Sequence, residues 1–183
     1  MASKIKVDQI QTADGTGTIA LQNQLSGMTT ASLPALGSAQ MPTGSVIQTV
    51  QVTGAVSRTT VTSTGSWTSH FSLSITPSST SNKILVLLTA PVRLTGNSNL
   101  MRAGFRVERG STTIWNTGDF VEHMQIRNAD GEVDMLNNMQ YLDSPSTTSS
   151  TTYTFQAYLH TGTGMYLWEK GFGTNMVLME IAG

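Results

Sequence analysis

The sequence predicts an all-β chain: an extended N-terminal segment over residues 1–41, then one β-sandwich over residues 42–183. Three observations carry this reading. Apolar and polar residues alternate with a period of two in short runs, the spacing of strands with one covered face. Clusters of Gly, Pro, Asn, Asp and Ser break these runs roughly every eight to fifteen residues. Serine and threonine make up about a quarter of the chain, and threonine's β-branching stiffens the backbone for a half-buried pleated surface.

Taken in order, Ile5 and Val7 alternate with Lys4, Lys6 and Asp8, and Ile19 and Leu21 alternate with Thr18, Ala20 and Gln22. Between them Ala13–Gly17 is a turn whose glycines accept positive φ. Two strands this short form at most a marginal hairpin in water, so their aliphatic side chains need cover from elsewhere. Residues 29–41, with Pro34 and small turn formers, read as a linker. Strand signals become regular at Val46–Val52. Phe71–Ile75 alternates and stops at Pro77-Ser78-Ser79. Lys83–Leu88 is continuously apolar after its lysine, the mark of a strand covered on both faces. Ala103, Phe105 and Val107 face one way, and Arg102, Arg106 and Glu108 the other. Arg109-Gly110-Ser111 turns the chain into Thr112–Trp115 as a hairpin. Residues 117–128 fit a short helix or a long loop. Met135–Leu142 is another strand, ended by Asp143-Ser144-Pro145 and a Ser/Thr run. Tyr153, Phe155, Ala157 and Leu159 alternate with polar residues; Gly162-Thr163-Gly164 leads to Met165–Trp168, and Asn175–Ile181 closes the chain. That makes about eight strands, the pattern of a sandwich or jelly roll.

Composition excludes several functions. The chain has 183 residues, 10 basic and 11 acidic side chains and a net charge of −1, which leaves no electrostatic footprint for a nucleic-acid backbone. Only 11% of residues are charged, but 38% are hydrophobic, enough for a packed interior. There is no cysteine, which excludes disulfides, zinc–thiolate sites and thiol catalysis. The first residues lack the apolar core of a secretory signal, and no apolar run approaches bilayer-spanning length. The expectation is a protein made in the cytoplasm, with no membrane insertion.

No motif nominates an enzyme, and the expectation is none, with no cofactor and no metal. His70, His123 and His160 are scattered, without the i+2 or i+4 partner that metal sites use on one element. Asp130, Glu132 and Asp134 alternate as in a calcium loop, but the later bidentate glutamate is missing, so a solvated turn is expected. No nucleophile elbow or phosphate loop is present. Trp67, Trp115, Trp168, Tyr158 and Tyr166 admit a sugar-stacking platform, with core or interface filling as the plainer account. Ten methionines suggest adaptable apolar contacts, in the core or between subunits.

Two stretches carry a resemblance. Lys4–Ile10, Ala13–Ile19 and Gln24–Thr29 resemble the N-terminal segment of fibre-like virion proteins of tailed bacteriophages, cyanophages among them. Ile75–Val86, the Phe105–Ile114 hairpin and the strand Met176–Ile181 are similar to the trimeric jelly-roll heads of those proteins, which share an architecture with complement-C1q and tumour-necrosis-factor modules. The resemblance implies a homotrimeric virion protein. Its N-terminal segment would attach through Ile5, Val7, Ile19 and Leu21 to tail, portal-vertex or capsid subunits, and Tyr153, Phe155 and Leu159 would line the contact between heads. It leaves open a short tail fibre that binds a host-surface glycan, or a decoration protein that clamps the shell. Forty strand-like residues reach at most about 140 Å, which keeps the decoration reading open. A stand-alone carbohydrate-binding module is the third expectation.

Overall fold

The computed structural model describes residues 37, 40–52, 57–97, 100–116, 124–127, 131–167 and 174–183. The chain divides into two units, Met1–Leu36 and Gly37–Gly183, and the described residues all belong to the second. Ile5, Val7, Ile19 and Leu21 lie outside them.

Among the described residues there are eleven strands and no α-helix. They are β1 (Val46–Val52), β2 (Thr59–Val61), β3 (Trp67–Ile75), β4 (Lys83–Gly96), β5 (Leu100–Arg109), β6 (Thr112–Asn116), β7 (Met124–Arg127), β8 (Gly131–Asp143), β9 (Thr151–Thr161), β10 (Gly164–Leu167) and β11 (Asn175–Ile181). All pair antiparallel in two sheets. One has the order β1-β11-β4-β10-β2 with β8 also on β4; the other runs β3-β9-β5-β6 with β7 also on β5. The main strands therefore read β1-β11-β4-β8 against β3-β9-β5-β6, with the chain stepping between sheets at β3–β4–β5 and β8–β9. This is the wrap of a jelly roll. The C-terminal strand lies inside its sheet, between β1 and β4.

β4 organises the six-stranded sheet. Its Ile84–Gly96 pair along their whole length with Gly131–Asp143 of β8. Along the opposite edge, β11 pairs with residues 83–89 and β10 with residues 92–95. Period-two alternation sends Ile84, Val86, Leu88, Ala90, Val92 and Leu94 inward, each at most 2% exposed. From the facing sheet Met101, Ala103, Phe105 and Val107 on β5 and Tyr153, Phe155, Ala157 and Leu159 on β9 meet them, also at most 2% exposed. Burying one such aliphatic or aromatic side chain contributes about 1.5–3 kcal/mol. Phe105 stacks on Phe155 with ring centroids 6.0 Å apart.

Polar bridges cross between the sheets at three places. Asp143, at the end of β8, accepts from Tyr153 Oη on β9 at 2.7 Å and from Arg109 Nη1 on β5 at 2.8 Å. Burial first, and then the bond to Asp143 and its charge, push the Tyr153 hydroxyl well above its ordinary range. His70 sits where the β3–β9 register shifts between Ser69 and Phe71, and its ring nitrogens meet Thr59 Oγ1 at 2.8 Å and Thr174 Oγ1 at 3.1 Å. Glu180 on β11 is fully buried and accepts from Ser78 N and Asn82 Nδ2 at 2.6 Å, and from Ser78 Oγ at 2.8 Å, tying the turn after β3 to β11.

The strands expected from Val46 onward are present, the Met165 segment among them as β10, and β2 and β7 are additional short ones; those expected nearer the N-terminus lie outside the described residues. Residues 124–127, expected in a helix or loop, form β7 on the edge of β5.

Candidate assembly surface

An antiparallel sheet with one solvated face normally alternates apolar inward and polar outward. The six-stranded sheet departs from this. The outward positions of β4 include Leu85, Leu87 and Pro91, and those of β11 include Val177, Met179 and Ile181, all only part-buried. Register places them side by side: Leu85 lies between Met179 and Leu142, and Leu87 between Val177 and Gln140. The apolar run in β4 predicts cover on both faces, and the chain's own second sheet covers one.

β8 extends the same surface. Among the described residues it pairs only with β4, so its other backbone edge is open. It carries four of the five large hydrophobic residues that are exposed among the described residues: Met135 at 41%, Leu136 at 59%, Tyr141 at 39% and Leu142 at 47%. Leu136 and Leu142 share the outward face with Leu85; Met135 and Tyr141 lie on the inward side, at the margin of the sandwich. A depression of about 250 Å³ between the two strands is lined by Leu87, Leu88, Thr89, Asn138, Met139 and Gln140. Long apolar edge strands invite pairing or cover by another chain.

Charge on this face lies at its ends, with the exposed Lys83 beside Ile181 at one and a cluster at the other. Glu132 and Asp134 lie opposite Thr95 and Arg93. Arg93 Nε and Nη2 donate to the two Asp134 oxygens at 2.6 and 2.7 Å, and its Nη1 lies 2.7 Å from Glu132. The alternation of acids read as a solvated turn is thus a strand serving one arginine. From Met135 to Leu142 β8 has no charged residue.

Tyr153, Phe155 and Leu159, expected at a subunit contact, are each 0% exposed inside the chain's own core. Their aromatic and aliphatic alternation is an interior pattern; what β9 offers outward is Thr154, Gln156 and Tyr158. Of the methionines, Met139, Met165 and Met176 are core, whereas Met135 is exposed on β8 and Met179 part-exposed on β11. His123, Trp168 and Asp130 lie outside the described residues. Among the described residues no three His, Asp or Glu side chains come together as a metal site requires, and His160 bonds Thr161 Oγ1. The outward Leu85–Leu87 and Leu136–Leu142 positions were missed as a surface, although the unbroken apolar run at residues 84–88 was their signal.

No family model matches the chain, and no curated protein is similar to it in sequence. Among solved structures, the infectious bursal disease virus Gt strain matches with a TM-score of 0.40 and 13% identity over 74% of this chain and 38% of that one. T=1 particles derived from infectious bursal virus match with a TM-score of 0.43 and 14% identity, over 82% and 41% of the two chains. The VP2 subviral particle of infectious bursal disease virus matches with a TM-score of 0.39 and 13% identity, over 82% and 42%. The chain thus spans about two fifths of these proteins. At such scores the likeness carries no inference about what the chain does.

Proposed function

We propose that the chain is a non-enzymatic structural protein of a virus particle. In this reading it assembles as a homotrimer, attaches through residues 1–41, and displays the sandwich of residues 42–183 as a head facing the host surface. One observation carries the assembly: the strand β4 is apolar on both faces, while among the described residues only the facing sheet covers it, on one side. The exposed strip of β8 and the apolar residues of β4 and β11 are neighbouring parts of one outward surface. A contact joining the β8 part on one copy to the β4–β11 part on the next is heterologous, and it closes into a trimeric ring when successive copies are turned by a third of a full rotation. The resemblance of residues 4–29 to phage fibre segments supports placing the protein on a virion, as a short fibre or as a shell decoration.

Light scattering on the full chain tests this. The expected mass is three times the 19.6 kDa of the chain. Leu136→Lys with Leu142→Lys, both on exposed positions, is expected to give a folded monomer. A wild-type monomer at micromolar concentration overturns the assembly. Immunogold labelling of intact particles then separates tail from shell.

A further inference from the structure

We propose that the outward face of the five-stranded sheet binds a neutral sugar ring at Trp67 and Tyr158. This rests on the reading of the sandwich as a displayed, host-facing head, and it assigns the surface that makes the contact. The face is otherwise polar: Ser72 lies opposite Thr154 and Ser74 opposite Thr152, and β5 adds Arg102, Arg106 and Glu108. Into it the register sets one aromatic pair. Trp67 lies opposite Tyr158, and Tyr158 opposite Gly104 on β5, a buried glycine with no side chain to compete with the ring for space. The two rings are 5.3 Å apart and inclined at 54°, and both are part-exposed.

The neighbouring row holds this pair in place. The Arg106 guanidinium lies 4.3 Å from the Trp67 centroid. Its Nε donates to Gln156 Oε1 at 2.6 Å, and Gln156 Nε2 donates to Ser69 Oγ at 3.1 Å. Its Nη2 pairs with Glu108 at 2.8 Å. The side chains are therefore ordered before any ligand arrives, which lowers the entropic cost of binding. Among the described residues, Trp67 Nε1, Tyr158 Oη and Arg106 Nη1 make no hydrogen bond to protein. Aromatic faces accept the C–H side of a pyranose, and the surrounding N–H and O–H groups meet its hydroxyls. Glu108 already balances the charge of Arg106, so the chemistry suits an uncharged sugar rather than a sialylated or phosphorylated one.

The test applies full-length protein to an array of immobilised neutral oligosaccharides of glucose, galactose, mannose and N-acetylglucosamine, with hits titrated by tryptophan fluorescence. Saturable binding is expected, with affinity at least tenfold lower in Trp67→Ala and in Tyr158→Ala. Tyr158→Phe keeps the ring and loses only the hydroxyl, so it is expected to fall between wild type and Tyr158→Ala, and it serves if an alanine variant does not fold. An array without a neutral-sugar hit, binding confined to charged glycans, or unchanged affinity in the folded variants overturns the site. Light scattering on the same samples separates the two readings. A trimer that binds no sugar overturns the site alone, and a monomer that binds it overturns the assembly alone.

Discussion

His70 shows what a single side chain does between two sheets. Burial lowers its pKa from 6.5 to about 4, so the folded protein keeps the ring neutral between its two threonine partners. The unfolded chain takes up a proton below pH 6.5 and the folded one resists until about pH 4. Stability therefore falls as pH drops through that window and gains no further loss from this residue below it. Urea midpoints measured from pH 7 to pH 4 are expected to decline, and His70→Gln to flatten the decline. Glu180 acts in a lower window. Its burial alone raises the carboxyl pKa, but the bonds from Asn82, Gln48 and Ser78 outweigh this and hold it below the ordinary 4.5. Its contribution is present above that ordinary value and is lost as pH falls through the lowered one. Glu180→Gln puts an amide N–H among donors, so a loss of about 1–3 kcal/mol is expected in denaturant titrations at pH 7. Neither role is visible in the sequence, because Gln48 and Glu180 are 132 positions apart and only the folded register joins them.

At the scale of elements, most of the sandwich was legible. Alternation at Ala103–Val107 and Tyr153–Leu159 marks inward residues by period alone, and the Gly110 turn is marked by its residue type. Gly110 has φ of 58°, where a Cβ is disfavoured, so Gly110→Val is expected to destabilise the β5–β6 hairpin, by roughly 1 kcal/mol or more in thermal melts. Two things were not legible. Short strands such as β2 and β7 owe their existence to the neighbour they lie on rather than to a pattern of their own. The face to which a buried-looking run turns its second side is set by the fold, so the Tyr153 alternation was taken for an interface and the Leu85–Leu87 positions were not. β8 follows from the same point. Among the described residues its outer edge is unpaired, and under the proposed assembly a second copy would cover those amides. Hydrogen exchange is expected to be slower in β8 of the wild-type trimer than in Leu136→Lys with Leu142→Lys, with β9 unchanged between the two.

At the scale of the whole molecule, the proposed assembly and attachment roles can be tested separately. The sandwich has its own core and its own outward apolar face, whereas the attachment proposal rests on Ile5, Val7, Ile19 and Leu21, which lie outside the described residues. If the sandwich trimerises through β4, β8 and β11, its assembly depends on apolar burial with little charge. Its melting temperature is then expected to rise with protein concentration and to respond weakly to salt. Ile5→Asp with Ile19→Asp leaves those three strands untouched, so the melting temperature, its concentration dependence and the trimer mass are expected to match wild type. The same substitutions place charge where the attachment reading requires apolar contact with another virion protein, so the variant is expected to be absent from purified particles in a complementation assay. Normal incorporation removes the attachment role of residues 1–41, and a variant that no longer trimerises moves the assembly contact from the sandwich into the N-terminal unit.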